Sequence, residues 1–171
     1  MHEVTLVLHN IRSTHNVGSI FRTAEGFAVK EIILTGYTPY PAYHGDIRLP
    51  HISEKITKQI HKTALGAETL VPFRHYETIE EFLTTTTLPL IALEQADRSV
   101  HLPDFSTPER FALLLGEEVH GIEPSLLEKC TAVIEIPMKG RKESFNVSVA
   151  TGIALYGFTV GAESSTRLKT E

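Results

Sequence analysis

The sequence predicts one α/β domain built on a parallel sheet. Two observations carry that expectation. The chain opens as strand, polar turn, helix, strand, a unit that lays consecutive strands side by side and parallel. Short apolar runs then keep alternating with helical patterns, without internal repeat, low-complexity block or linker, across 171 residues, about one domain's worth of chain.

Val4–Leu8 is apolar and partly β-branched, which suits a strand. A turn-rich stretch follows, and a helix is expected from Val17 to Glu25, with Gly26 as its stop. Glu31–Thr35 is the second strand. The long stretch Gly36–Pro50, GYTPYPAYHGDIRLP, mixes aromatics and prolines, and loops of that length are usually functional. Ser53–Ala64 reads as a helix capped by Ser53, with Ile56 and Ile60 inward and Gly66 at its end. Thr69–Phe73 is expected to be a strand. Thr78 with Glu81 forms a capping box, starting a short helix to Leu83 that the threonines 84–87 and Pro89 break. Leu90–Leu93 is a strand, Asp97–Glu109 a proline-containing loop, and Arg110–Leu115 a continuous apolar strand. Pro124–Lys129 is a short helix with proline in its first turn, where it is tolerated. Ala132–Ile136 is the last strand. Val147, Ala150, Thr151, Ala154, Leu155 and Phe158 then recur at helical spacing, so the last helix has one apolar face. We expect a single folded unit over residues 1–161 and a frayed polar tail over 162–171.

A composition of 42% hydrophobic and 22% charged residues suffices to bury a core without disulfides or metal. No apolar run is long enough for a transmembrane helix, and the N-terminus lacks the basic region and cleavage site of a signal peptide. The single cysteine, Cys130, excludes an intrachain disulfide and gives no metal framework. It reads as a buried thiol in a protein of the reducing cytoplasm. A net charge of −5 has the wrong sign for generic nucleic-acid binding. Contact with phosphates would rest on local patches, Lys55, Lys58 and Lys62 at helical spacing, or Lys139, Arg141 and Lys142.

Three polar, glycine-containing turns follow strands, and so lie on one edge of a parallel sheet, where open α/β sheets bind ligands. The first holds Asn10, Arg12, Asn16, Gly18 and Arg22. The second is Gly116-Glu117-Glu118-Val119-His120-Gly121, directly after a buried strand. Glycine there allows a ligand close to the backbone, but no Lys-Ser/Thr follows, so a phosphate-binding P-loop is rejected. The third runs from Ile136 through Lys139–Glu143 to Ser144 and Asn146 at a helix mouth. Ser144, Asn146 and Ser148 are more polar groups than one helix cap requires. Residue chemistry alone gives an α/β enzyme or ligand binder with a site at the sheet's edge.

These residues carry a resemblance. N-x-G-x-x-x-R-T-A, L-L-x-G-x-E-x-x-G-I and I-P-M-x-G-…-S-x-N-V-S-V-A, in that order from Asn10 to Ala150, resemble the three motifs of the SpoU (TrmH-type) RNA 2′-O-ribose methyltransferases of the SPOUT superfamily. The resemblance implies an α/β fold with a C-terminal trefoil knot, a homodimer, and S-adenosylmethionine as methyl donor with no metal. By position it implies Arg22, Asn16, Glu118, Ser144 and Asn146 as catalytic residues, and Leu93, Gly116, Ile136, Met138, Phe145 and Asn146 around the donor. Arg22 is expected to act with the other protomer's cleft. A guanidinium barely deprotonates, so Arg22 suits a clamp on target phosphate and developing alkoxide better than a base, the proton leaving to phosphate or water. The implied substrate is RNA, tRNA in preference to rRNA. The competing expectation is a catalytically idle module of the same fold that binds RNA or adenosine.

Overall fold

The computed structural model describes residues 2–161; the tail expected at 162–171 lies outside them. Seven strands form one sheet: β1 (Glu3–His9), β2 (Glu31–Thr35), β3 (Phe73–Tyr76), β4 (Leu90–Leu93), β5 (Val100–His101), β6 (Arg110–Leu115) and β7 (Ala132–Glu135). Their order is β3-β2-β1-β6-β4-β7-β5. Every pairing is parallel. In register, Leu6 of β1 lies between Ile32 of β2 and Leu113 of β6.

A parallel sheet must be covered on both faces, and the core divides accordingly. On one face Leu6, Leu8, Ile32, Phe111 and Leu113 pack with Val17, Ile20 and Phe21 of α1 (Thr14–Gly26), Ile60 of α2 (Pro50–Ala64) and Leu155 of α5 (Val147–Tyr156). On the other, Val7, Ile33, Ala92 and Leu114 pack with Phe82 of α3 (Ile79–Thr85) and Leu126 of α4 (Pro124–Leu127). Alternate residues of each strand thus enter opposite cores. Gly18 permits the close approach of α1 to α2, since a Cβ there would stand 2.2 Å from the Ile60 carbonyl oxygen. Cys130 is 5% exposed, and burial pushes its thiol up to about 11. Among the described residues no helix is long and apolar enough to cross a membrane.

Several boundaries differ from expectation. Helix α1 begins at Thr14, because Ser13 supplies the cap by accepting from the Asn16 N–H. Gly26 is its last residue, and the left-handed position beyond it is Ala28, at φ 51°. Helix α2 starts at Pro50, where the missing N–H costs nothing. Ser53 is therefore buried in its first turn, donating to the Pro50 carbonyl rather than capping. The strand expected over Thr69–Phe73 is a 3-10 turn at Ala67–Thr69, and pairing begins only at Phe73. Pro72 cannot donate to a ladder; its carbonyl instead receives the Ile32 N–H at 2.9 Å. The loop expected after β4 contains β5, two exposed residues beside Ile134 and Glu135. Thr78 does cap α3, accepting from the Glu81 N–H.

Candidate functional site

The connections after β1, β4, β6 and β7 meet at the C-terminal edge of the sheet. Those after β4, β6 and β7 enclose a cavity of about 420 Å³ lined by residues 93–95, 115–121, 135–136, 138, 144–147 and 150. That size lies within the range of small-molecule sites, about 300–1,000 Å³. Leu93, Leu115, Ile136, Met138, Phe145 and Val147 give it apolar walls, and carboxylates and the Asn146 amide rim it.

Glu118 organises one wall. Its carboxylate accepts the backbone N–H of Arg12 at 3.1 Å and of Ser13 at 3.2 Å, and the side-chain amide of Asn16 at 2.9 Å. Burial alone would raise its pKa, but these donors outweigh it and hold the carboxyl below its ordinary range. Asn16 in turn accepts the Asn146 Nδ2 at 3.2 Å. The Asn146 Oδ1 takes the Ser148 N–H at 3.0 Å and the Ser148 hydroxyl at 2.7 Å. One amide therefore caps α5 and ties it to the β1–α1 turn.

The second carboxylate, Glu117, is buried. Its Oε2 accepts the backbone N–H of His120 at 2.9 Å and pairs with His120 Nδ1 at 2.7 Å, while its Oε1 lies 2.8 Å from the Arg12 guanidinium. The two partners, His120 and Arg12, point outward, their side chains 77% and 62% exposed. Burial opposes ionisation of Glu117, yet the His120 hydrogen bonds and the Arg12 charge prevail and set its pKa below the ordinary value.

Glu94 closes the far side. It accepts the Ile122 N–H at 3.0 Å and the Gln95 N–H at 2.8 Å. Gly121, at φ +69°, fits only because it lacks a side chain: a Cβ would stand 2.2 Å from Glu94 Oε2. A Cβ on Gly116 would likewise meet the Gly121 carbonyl carbon and oxygen at 2.6 Å. Gly116 lines the cavity, but it is the chain's own backbone that demands its small size, where the sequence suggested a ligand.

The structure thus gathers Asn16, Glu118, Ser144 and Asn146 with Leu93, Gly116, Ile136, Met138 and Phe145. It does not bring Arg22 to them. Six residues beyond Asn16 on α1, Arg22 lies about 9 Å along the axis and roughly 120° round the helix. Its side chain is exposed. Its chain neighbour Thr23, with Ser19, lines a groove between α1 and α5 that also holds Val149, Gly152, Ile153 and Tyr156. Lys55, Lys58 and Lys62 line a separate exposed face of α2. Sequence reasoning missed Glu94 as a site residue and the pairing of Glu117 with Arg12 and His120. The adjacent carboxylates after an apolar strand were the available signal.

Fold and site together define an α/β protein with a small-molecule cavity at the ends of its parallel strands and a polar network at the rim. The chain belongs to the SpoU rRNA Methylase family, whose model matches residues 3–156. It is 31% identical over 147 residues to the tRNA (guanosine(18)-2′-O)-methyltransferase of Aquifex aeolicus, covering 86% of this chain and 64% of that protein. A 23S rRNA (guanosine-2′-O-)-methyltransferase of Ralstonia nicotianae is 28% identical over 155 residues, covering 88% of this chain and 56% of the relative. The chain therefore spans between 56% and 64% of the length of these two curated relatives. The crystal structure of an AdoMet-bound rRNA methyltransferase from Sinorhizobium meliloti superposes with a TM-score of 0.75 at 25% identity, over 92% of this chain and 57% of that one.

Proposed function

We propose that this chain transfers a methyl group from S-adenosylmethionine to a ribose 2′-hydroxyl of RNA. The observation that carries the reading is the hydrogen-bonded series Glu118–Asn16–Asn146 at the mouth of a cavity with both apolar and polar walls. The cavity's apolar walls and its volume of about 420 Å³ fit an adenosine-sized ligand. Leu93, Gly116, Ile136, Met138, Phe145 and Asn146 would hold it. When bound, it supplies an already activated methyl group, so the reaction calls for no metal.

The protein's task is alignment and charge stabilisation. Glu118 fixes the β1–α1 turn against the loop after β6. Asn16 transmits that position to Asn146, and Ser144 and Asn146 face the entering ribose. Arg22 works in the cleft of a second protomer, gripping the target phosphate and the developing alkoxide. Its place beside the α1–α5 groove supports a homodimer formed through that face, where Val149 and Tyr156 are exposed. We infer in addition the C-terminal trefoil knot of the family, a methyltransferase domain spanning residues 1–161, and a cytoplasmic location. We favour tRNA over rRNA as substrate, because the relative at 31% identity is named for tRNA.

The test is calorimetry with S-adenosylhomocysteine in the absence of RNA. Binding in the micromolar range is expected, about −8 kcal/mol. No heat and no thermal shift at millimolar ligand would reject the proposal. Mass spectrometry of RNA from cells lacking the gene then identifies the target as the one missing 2′-O-methyl nucleoside.

A further inference from the structure

We propose that His120 is the group that accepts the proton of the ribose 2′-hydroxyl, with Glu117 as the residue that positions it. This role rests on the methyl-transfer reading above and names the proton's destination within that same site.

The proton must leave as the 2′-oxygen forms its bond to the methyl carbon. The carbon–sulfur bond of the sulfonium breaks, its electron pair stays on sulfur, and the hydroxyl proton passes to His120 Nε2. Atoms and charge then balance: a sulfonium and a neutral imidazole become a thioether and an imidazolium.

The occupancy of the other titratable groups singles out His120. Five of them line the cavity: Glu94, Glu117, Glu118, His120 and Glu135. Glu94 accepts two backbone N–H groups. Three donors converge on Glu118. Glu135 takes the Ser99 hydroxyl at 2.7 Å and lies 3.0 Å from His101 Nε2. Glu117 is buried between Arg12 and His120. A carboxylate engaged in this way is a weak base. Arg12, from the β1–α1 turn, cannot serve, since a guanidinium holds its protons. His120 alone combines a place on the cavity wall, an exposed imidazole and a ring nitrogen, Nε2, without a hydrogen bond among the described residues.

The loop does not need this contact to fold. The turn is already closed by the Gly121 N–H on the Glu117 carbonyl at 2.9 Å and by the His120 N–H on Glu117 Oε2 at 2.9 Å. The Nδ1 contact at 2.7 Å adds ring orientation. With Nδ1–H donated to a carboxylate, Nε2 carries the lone pair and faces out, the arrangement that equips a histidine as a general base. Arg12 on the other oxygen keeps Glu117 ionised for that purpose.

The experiment uses the full chain, RNA extracted from cells lacking this gene, and labelled S-adenosylmethionine, in single turnover from pH 5.5 to 9. The wild-type rate is expected to rise with pH and level off as an imidazole loses its proton. His120→Asn should lose about 10²–10⁴-fold in rate and lose that ionisation from its profile. Its affinity for S-adenosylhomocysteine by calorimetry should stay within about threefold of wild type. Glu117→Gln should lower the rate as well, because the ring loses the carboxylate that orients it through Nδ1. Independently of turnover, ¹⁵N NMR of the free protein should find His120 as the Nδ1–H tautomer when neutral, and Glu117→Gln should mix the tautomers. His120→Asn with wild-type rate and profile, donor affinity falling in step with rate, or an Nε2–H tautomer would each overturn the role. A wild-type protein that binds S-adenosylhomocysteine but methylates none of this RNA overturns the methyl-transfer reading, and His120's part in it goes with that reading.

Discussion

Asn16 and Asn146, 130 residues apart in the chain, meet through an amide–amide hydrogen bond at 3.2 Å. Each amide is already committed at its other end, Asn16 as donor to Glu118 and Asn146 as acceptor from Ser148. The donors and acceptors therefore run in one direction, from the α5 cap to a carboxylate. That carboxylate, Glu118, is the anchor, and its protonation state should show in the stability of the whole protein.

Glu118→Gln should destabilise the protein at neutral pH by about 1–3 kcal/mol, the range for weakening hydrogen bonds to a charged acceptor. The folded carboxyl titrates below its unfolded value. Its contribution is thus complete above the unfolded carboxylate pKa, near 4.3, and is lost as pH falls through the folded value. Urea unfolding at several pH values checks this: the gap between wild type and Glu118→Gln should close below about pH 4. An equal gap at pH 7 and pH 3 would contradict the anchoring role.

Arg22→Ala should abolish methyl transfer and spare donor binding. Arg22 is exposed on α1 and lies apart from the cavity, so its loss removes only what it does to the substrate. Removing one transition-state donor costs about 10²–10³ in rate. Alanine is also the better helix former, so the fold should persist. Turnover measured beside donor calorimetry decides the matter; a parallel fall in both would place Arg22 in the donor site after all.

The α1–α5 face makes a separate prediction. Val149 is 49% exposed and Tyr156 57% exposed on α5. If a second copy covers them, Val149→Lys buries an unpaired charge and should weaken the dimer at least tenfold, about 1.4 kcal/mol. Light scattering across a dilution series reports it. A wild-type monomer at micromolar concentration would remove the partner on which Arg22 depends.

Gly121→Ala tests the tight turn beside the cavity. It combines a positive φ with a Cβ aimed at Glu94 Oε2, so a loss of about 1–3 kcal/mol is expected. Glu94 must also release the Ile122 N–H to make room. Gly140→Ala is the control, since nothing lies within 4 Å of its Cβ position, and it should stay within about 0.5 kcal/mol of wild type. Denaturant melts of the pair give the comparison.

The sequence was legible where one strong local signal decided the outcome. The strands Glu31–Thr35, Leu90–Leu93 and Arg110–Leu115 are apolar runs bounded by breakers, and they appear with the expected ends. Leu70 and Val71 mimic that signal, yet Pro72 withholds the donor pairing requires, and Leu70 is 68% exposed. Strand β5 had no signal at all, being two exposed residues held by neighbours. Within the site, the surplus of polar groups around Asn146 was visible from caps alone. The partners of Glu94 and Glu117 were not, because a carboxylate's hydrogen bonds are set by the finished fold, and Arg12 reaches Glu117 across more than a hundred residues of chain.

The sheet order also sets the timing of synthesis. Strand β1 lies between β2 and β6, so one of its edges is matched soon after translation and the other waits for Leu115. At about 5–20 residues per second the ribosome takes on the order of ten seconds to cross that gap. For this interval Leu6 and Leu8, apolar residues at the centre of the finished molecule, border an open row of backbone donors and acceptors, the feature that recruits foreign strands. A nascent chain stalled between β2 and β6 is therefore the species most exposed to aggregation, and the point at which a ribosome-associated chaperone has most to protect.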